Sequence, residues 1–279
     1  MKTDLIRKVA RRMTAWRFRG TAPQLNEGYA SAPPNPQQTV DIFRGIWSSH
    51  LPIPAVESGS TQLFEDERLA WLIERMGGAS GLDILELGPL EGAHTTMLER
   101  AGAASVLAME ANPSCYLRCL VVKELLGLSA SHFQFGDIET YLKDCDRRFD
   151  LVVAVGVLYH LFDPLPVLLG LCRVTDRIFI WTHFFDEKAM PKNDPRADWM
   201  TGEVHRQVVD GETLTYHYRS YGWTRGPAGF IGGKLSQAAW VDQQEVIDLL
   251  ERKGFAVETV FAQPDHPNGP AACLYAERR

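Results

Sequence analysis

Residues 61–181 alternate between short apolar runs and amphipathic segments, and this alternation constrains the fold more than any other feature. Several of the runs, such as 149–155, are almost continuously apolar, as strands buried on both faces are. Strands and helices that alternate at this spacing form a parallel sheet with helices on both faces. The sequence therefore predicts a doubly wound α/β fold, with strands at 83–87, 105–110, 132–135, 149–155 and 177–181 and helices at 61–76, 92–101, 113–126, 138–144 and 163–172.

The end of the chain returns to this pattern, with a helix predicted at 241–252 and strands at 255–262 and 271–277. A connection as long as 183–238 needs structure or a function of its own in a compact domain. It contains Asp210-Gly211 between two stretches of alternating residues. This pattern predicts a hairpin with a type I′ turn.

The insertion at 183–238 is rich in aromatic residues and contains a glycine-rich segment, 226–234, that we expect to be mobile. Aromatic rings on a hairpin suit a lid that excludes water and grips the face of a ring or sugar. We therefore predict substrate contacts from Tyr216, Tyr218 and Trp223. The alternatives are a small satellite core and a contact in a homodimer.

Residues 1–60 are predicted to form an extension that precedes the domain at 61–279. The apolar residues of 1–19 fall on one stripe of a helix whose other faces are basic. This helix is interpreted as docking on its own domain, and the alternative is contact with anionic lipid or RNA. After a proline-rich linker come Trp47 and Arg68, which we predict to line the substrate pocket; an ordinary helix salt bridge is the alternative for Arg68.

Composition excludes several classes of protein. With 45% hydrophobic and 23% charged residues, the chain is neither disordered, nor collagen-like, nor a disulfide-stabilised miniprotein. No apolar stretch is long enough to span a membrane. The five cysteines form no CxxC pair and show no metal-ligand spacing, which is typical of reduced thiols in a cytoplasmic protein.

The segment Asp83 to Gly92 predicts a ligand site, because it is a strand that runs into a glycine-bearing turn at the start of a helix. A dinucleotide fingerprint needs a second glycine at 90 and a third at 93, where this chain has Leu90 and Ala93. The missing middle glycine argues against the pyrophosphate of NAD or FAD.

Two acids follow the next predicted strands. Glu110 ends the second strand, where a carboxylate accepts hydrogen bonds from both hydroxyls of a ribose. Asp137 follows the third strand, where it is a candidate to accept from an adenine amino group while the Ile138 N–H donates to the ring. The simpler reading of Asp137 is a helix N-cap, and one residue can serve both purposes.

With these residues the chain resembles the class I S-adenosylmethionine-dependent methyltransferases. The resemblance covers 61–279 without the insertion, and it rests on the Glu86-Leu-Gly-x-x-x-Gly92 turn, the two strand-end acids and the closing strands. It implies a mostly parallel, seven-stranded Rossmann-like sheet with an antiparallel last strand. It also implies S-adenosyl-L-methionine as cofactor and S-adenosyl-L-homocysteine as product. The cofactor contacts that it implies are Glu86, Gly88, Gly92, Glu110, Ala111, Asp137, Ile138, Val155 and Gly156.

One departure from the family is Leu90, which stands where the middle glycine is usual, next to Pro89. We expect these residues to reshape the methionine pocket. The segment Gly156–Pro164 is similar to one in tRNA wobble-uridine carboxymethyl-transferring relatives. Because it is widespread in the superfamily, it assigns no substrate.

Methyl transfer to a hydroxyl requires alignment of the nucleophile with the methyl group and a group that accepts the proton. Candidates should follow the fourth and fifth strands, where His160 and His183 lie. For each, the alternative is a histidine that only satisfies backbone groups. Tyr159 is a further candidate for substrate contact, and the absence of clustered carboxylates predicts no metal.

These features together predict a methyltransferase that acts on an oxygen or nitrogen of a small molecule. One alternative is a tRNA-modifying enzyme, which the basic helix favours. Residues 1–20 carry a net charge of +6, however, and the total is −6, so the rest of the chain is at −12 and poorly suited to phosphates. The other alternative is a regulatory or scaffold protein that binds the cofactor without transferring its methyl group.

Overall fold

The structure is a computed structural model that describes residues 29–221, 233 and 235–279. Its strands are β1 (Asp83–Leu87), β2 (Ser105–Glu110), β3 (Ser131–Phe135), β4 (Leu151–Val155), β5 (Arg177–His183), β6 (Met200–Val209), β7 (Glu212–Ser220), β8 (Gln237–Val241), β9 (Phe255–Gln263) and β10 (Ala271–Arg278). Its helices are α1 (Pro36–Asp41), α2 (Glu67–Met76), α3 (Ala93–Arg100), α4 (Pro113–Leu126), α5 (Ile138–Asp144), α6 (Pro164–Val174) and α7 (Gln243–Arg252).

The main sheet has seven strands in the order β3-β2-β1-β4-β5-β10-β9. Strands β1 to β5 pair in parallel, and β10 runs antiparallel to both β5 and β9. This confirms the predicted sheet and its antiparallel last strand. The strand order reverses between β1 and β4, which is the point where an open α/β sheet binds its ligand.

Two apolar cores hold helices against the two faces of this sheet, as strands buried on both faces require. One core joins α5, α6 and α7 to residues such as Val152, Ile180 and Leu274. The other joins α2 and α3 to residues such as Val153 and Phe179. Successive residues of β4 and β5 therefore contribute to opposite cores.

The insertion forms a second sheet of three strands in the order β6-β7-β8. Asp210 has φ +50° and Gly211 has φ +80°, which confirms the predicted hairpin with both turn residues in the left-handed region. The third strand, β8, was not predicted. It pairs antiparallel with β7, and α7 begins only after it, at the N-cap Asp242.

Some predictions fall outside the described residues. These are the basic helix at 1–19, most of the glycine-rich segment and Trp223. The predicted helix at 61–76 begins later, at Glu67, because the side chain of Asp66 caps it by accepting from the Arg68 N–H. Among the described helices, none is long and apolar enough to cross a membrane.

Candidate functional site

The carboxyl ends of the parallel strands bring most of the predicted site residues to one edge of the sheet. Glu86 lies near the end of β1 and Glu110 at the end of β2, while Gly156 follows β4 and His183 ends β5. The two acids lie on one side of the switch point, and an aromatic group around His183 lies on the other. The site therefore has two neighbouring halves.

The turn between β1 and α3 closes tightly around its glycines. Gly88 has φ +64°, and a Cβ there would lie 2.9 Å from the Val157 Cγ2 atom. Gly92 has φ +76°, and a Cβ there would lie 2.9 Å from the Phe133 ring. Both positions therefore favour glycine for conformation and for space.

Leu90 takes the left-handed conformation, with φ +54°, that a glycine at this position would adopt without strain. Its backbone N–H donates to the Glu110 Oε2 atom at 3.2 Å. The backbone at Leu90 thus has the conformation that glycine favours. For leucine this left-handed conformation costs about 1–2 kcal/mol. The hydrogen bond to Glu110 ties the turn to the end of β2.

Glu86 is almost completely buried, with 1% of its surface exposed. Its Oε2 atom accepts a hydrogen bond from the Thr95 hydroxyl, while its Oε1 atom has no hydrogen-bond partner among the described residues. Burial raises the pKa of Glu86 to about 7. A cationic donor would satisfy Oε1 and favour the ionised form, so this residue suits the ammonium group of the cofactor's methionine part.

Glu110 is also buried and receives two backbone N–H donors. Its Oε1 atom accepts from Asn112 at 2.7 Å, and its Oε2 atom accepts from Leu90. Burial raises the pKa of this carboxyl group. A carboxylate offers about four acceptor positions, so two remain for the hydroxyls of a ribose.

The other predicted cofactor residues lie along the same edge. Asp137 caps α5, because its Oδ1 atom accepts from the Thr140 N–H at 2.9 Å. Ile138 and Val155 are each 8% exposed, whereas Ala111 is exposed beyond Glu110. Asp137 thus has the capping function that was its simpler interpretation.

Glu91 is a residue of this turn that the sequence reasoning missed. Its fully buried carboxylate accepts from the Ser48 N–H at 3.0 Å and from the Ser49 N–H at 2.8 Å. The Arg118 Nε atom lies 2.9 Å from its Oε1 atom, at an angle outside hydrogen-bond geometry, so this contact is an ion pair. Glu91 therefore fastens the segment around Ser48 to the glycine-bearing turn and to α4.

The second half of the site is a cluster of rings that we call the aromatic cluster, made of Tyr159, Trp181, His183, Trp240 and His266. The His183 ring stacks on Trp240 with centroids 5.2 Å apart. It meets Tyr159, Trp181 and His266 edge-on, at 4.6, 5.0 and 4.8 Å. The sequence predicted Tyr159 and His183 here, but not the two tryptophans or His266.

His183 is buried, with 4% of its surface exposed, and its Nδ1 atom lies 2.9 Å from the carbonyl oxygen of Gly269 and 3.2 Å from that of Pro270. Carbonyl groups only accept, so Nδ1 carries the proton and Nε2 is the basic nitrogen. Burial and the neighbouring His266 lower the pKa of His183 to about 4. It is therefore neutral at physiological pH and a weak base.

His160 is held differently, by a chain of two hydrogen bonds. The Tyr221 hydroxyl donates to the Tyr159 carbonyl oxygen at 2.8 Å, and it lies 2.7 Å from the His160 Nδ1 atom. Since the hydroxyl has one proton, it accepts from the N–H at Nδ1. This assigns Nε2 as the basic nitrogen of neutral His160.

The predicted substrate residues divide between the aromatic cluster and the apolar cores. Arg68 lies over the Trp181 ring at 4.5 Å and pairs with Asp66. Trp47 is buried in an N-terminal apolar cluster, and its Nε1 atom donates to the Val40 carbonyl at 2.8 Å. It therefore packs the extension against the domain instead of lining an open pocket.

Tyr216 and Tyr218 are placed in the main core. Tyr216 is 1% exposed, and its hydroxyl donates to the Asp163 Oδ1 atom at 2.5 Å and accepts from the Leu165 N–H at 3.0 Å. Tyr218 is 5% exposed and stacks on Phe162. These two rings belong to the main core, so they form neither a lid surface nor a separate satellite core.

A family model described as "Methyltransferase domain" matches residues 85–177, from β1 to the start of β5. These residues form a class I methyltransferase domain. S-Adenosylmethionine is the cofactor of this domain, and methyl transfer is its reaction. No curated protein matches the chain significantly.

Solved structures show that most of this chain, including the matched residues 85–177, shares its fold with known proteins. The N-terminal domain of EvdMO1, in the presence of S-adenosylhomocysteine and D-fucose, has 24% identity and a TM-score of 0.63, with 87% of this chain and 94% of that chain covered. For EvdMO1 itself the identity is 22% and the TM-score 0.56, with 87% and 46% covered. Magnesium protoporphyrin IX methyltransferase from Synechocystis PCC 6803 has 15% identity and a TM-score of 0.52, with 90% and 100% covered.

Within the described part of the chain, no group of three or more His, Cys, Asp or Glu side chains could hold a metal ion. All five cysteines are buried and unpaired.

Proposed function

We propose that this methyltransferase domain acts on a hydroxyl oxygen of a small, ring-containing molecule. The observation that carries the proposal is the position of the two halves of the site. The carboxylates of Glu86 and Glu110 lie at one edge of the sheet, and the aromatic cluster lies at the same edge beyond the switch point. A ring packed on Tyr159 and His266, the half-buried members of that cluster, would be presented to the cofactor side. EvdMO1, whose N-terminal domain was crystallised in the presence of D-fucose, supports a ring with hydroxyl groups.

On the cofactor side, we assign Glu86 to the ammonium group and Glu110 to the ribose hydroxyls. Asp137 and the Ile138 N–H are assigned to adenine, and Gly88 and Gly92 to the close approach of the backbone. The cofactor supplies a methyl group on a positively charged sulfur. The task of the chain is therefore to align an acceptor oxygen with that methyl group and to exclude water.

We assign the proton acceptor to His160. Tyr221 holds its ring through Nδ1, so its basic Nε2 atom has a defined direction, as in other catalytic histidines that a second group orients. His183 is the weaker candidate, because a base with a pKa of about 4 has little affinity for the proton of a hydroxyl group. His183 instead supports Trp240 and Trp181 by ring packing.

The two alternative functions lack a supporting observation of this kind. The prediction that favours tRNA, a basic helix at 1–19, falls outside the described residues. The aromatic cluster next to the cofactor half favours catalysis over a scaffold function, since a scaffold needs no acceptor site. We also propose that the protein is cytoplasmic, that 1–60 is a cap extension, and that the insertion at 183–238 covers the acceptor.

The test is a methyl-transfer screen with sugars and phenols as acceptors, read as formation of S-adenosylhomocysteine and of the methylated product. We expect His160→Gln to lower kcat by about 10²- to 10⁴-fold and to leave S-adenosylhomocysteine affinity unchanged. The matched control is His132→Gln, which removes an exposed histidine from β3. Full turnover of a hydroxyl acceptor by His160→Gln would contradict the assignment of the base.

A further inference from the structure

Arg219, on β7, is an arginine of the site for which the described residues provide no counter-ion. Its guanidinium carbon lies 4.8 Å from the centre of the Trp240 ring and 5.9 Å from that of Tyr221. Its Nε atom is buried and has no hydrogen-bond partner among the described residues. No ion pair to Arg219 occurs in the part of the chain that the structure describes.

Other shielded arginines of the domain differ from Arg219 in this respect. Arg68 pairs with Asp66, Arg118 with Glu91, and Arg196 with Asp194. A guanidinium carries five N–H donors, and proteins rarely shield one from water without an acceptor. The exception at Arg219 therefore indicates that the acceptor comes from a ligand.

Two further donors of the same region lack acceptors. The Nε1 atoms of Trp181 and Trp240 are buried without a hydrogen-bond partner among the described residues. Trp181 lies under Arg68, and Trp240 lies under Arg219, with His183 between the two indoles. The aromatic cluster is thus bordered by two cations and contains donors that the described residues do not satisfy.

The electrostatic surroundings are positive as well. Burial raises the pKa of Tyr159 to about 12, and the charges that oppose this rise are Arg68 and Arg219. Burial lowers the pKa of His266, and Arg68 and Arg196 lower it further. The carboxylate of Asp66 is already bound by Arg68 and His94, so it does not neutralise Arg219.

We propose that the acceptor substrate carries a carboxylate, and that Arg219 binds it beside the aromatic cluster. This inference rests on the proposed function, because it names the substrate class of the same acceptor site. A planar guanidinium matches a carboxylate with two parallel hydrogen bonds, which a neutral hydroxyl group does not reproduce. The ring of the acceptor packs on the two half-buried rings of the aromatic cluster, Tyr159 and His266, while its carboxylate determines which hydroxyl faces His160.

The preference that follows is for hydroxy acids over their neutral analogues. A charge-assisted hydrogen bond of this kind corresponds to about a 10- to 150-fold difference in affinity. A substrate whose carboxylate is replaced by an amide or a hydroxymethyl group should therefore lose affinity by this factor, with the cofactor unaffected.

The experiment uses acetate as the probe and nuclear magnetic resonance as the readout, on the full chain saturated with S-adenosylhomocysteine. The signals are the Nε–H of Arg219 and the indole N–H of Trp181 and Trp240, assigned by substitution. We expect acetate to shift them saturably in the millimolar range and acetamide to leave them unchanged. Arg219→Gln should abolish the acetate-induced shifts of the two indole signals, and Arg219→Lys should retain them in part. The control is Arg206→Gln, on the exposed strand β6, which should behave as the wild type.

Each other outcome contradicts a defined part of the account. No saturable shift, or a shift that survives in Arg219→Gln, overturns the carboxylate site. A response to sulfate but not to acetate overturns the carboxylate in favour of another oxyanion. Calorimetric titration of the same preparation, before S-adenosylhomocysteine is added, separates the two proposals, because a chain that does not bind S-adenosylhomocysteine contradicts the proposed function whatever acetate does.

Discussion

Replacement of Glu91 by alanine should destabilise the domain and loosen its cofactor turn. The carboxylate is fully buried and serves the Ser48 N–H, the Ser49 N–H and the Arg118 guanidinium at once. Its removal leaves two buried donors without an acceptor and a buried cation without its partner. Loss of one partner of a buried ion pair costs about 3–5 kcal/mol.

That cost is a large share of the total stability of a domain, which is about 5–15 kcal/mol. We therefore expect Glu91→Ala to lower the free energy of unfolding by about 3–5 kcal/mol, measured by urea denaturation followed by circular dichroism. Because Glu91 lies between Leu90 and Gly92, S-adenosylhomocysteine affinity should also fall. Where Glu91→Ala does not fold, Glu91→Gln, which keeps one acceptor oxygen, should show a smaller loss of both quantities.

The double substitution Glu91→Ala with Arg118→Met distinguishes the ion pair from general disruption. If the unpaired cation causes much of the loss, the double variant should be more stable than the sum of the two single effects predicts. The exposed Glu74 on α2 is the matched control, and Glu74→Ala should change stability by less than about 0.5 kcal/mol. A loss of stability below about 1 kcal/mol in Glu91→Ala would contradict the conclusion that Glu91 fastens the segment around Ser48 to the turn and to α4.

Three further predictions follow from the site. Glu110→Ala should weaken S-adenosylhomocysteine binding by about 10- to 150-fold in calorimetry, whereas Glu99→Ala, outside the site, should not. Because the pKa of His183 is about 4 when folded and 6.5 when unfolded, only the unfolded chain takes up this proton between those values. The free energy of unfolding should therefore fall by up to about 3 kcal/mol from pH 6.5 to pH 4. Urea denaturation at several pH values measures this dependence, and His183→Asn should remove the part of it that His183 contributes. Tyr221→Phe should lower kcat less than His160→Gln does, with unchanged KM, since it frees the ring without removing the base; equal losses would contradict this orienting function.

The main sheet could be predicted because its signals are local. Strand β4 is apolar on both faces, and the Asp210-Gly211 turn requires a conformation that few other pairs adopt. Strand β8 was missed because it has only five residues. Two of them are alanine, so the segment shows little alternation of apolar and polar residues. It is a strand because β7 offers an open edge for pairing, which is a property of the folded chain.

In the candidate site, too, residues with local sequence signals were predicted and residues that depend on distant contacts were missed. Glu86 and Glu110 were predicted because strand ends and glycine spacing place them. Glu91 was missed, since its partners Ser48 and Ser49 lie more than forty residues away along the chain. On β7, alternation places Tyr216 and Tyr218 on one face and Arg219 on the other, but which face meets the core depends on tertiary packing.

The central claim is that this edge of the sheet binds S-adenosylmethionine. Calorimetric titration of the purified protein with S-adenosylhomocysteine tests it most directly, with NAD as the comparison ligand. We expect one-to-one binding of S-adenosylhomocysteine in the micromolar range and no binding of NAD, because Leu90 replaces the glycine that a pyrophosphate requires. A folded sample that binds NAD, or that binds neither ligand, would contradict the account.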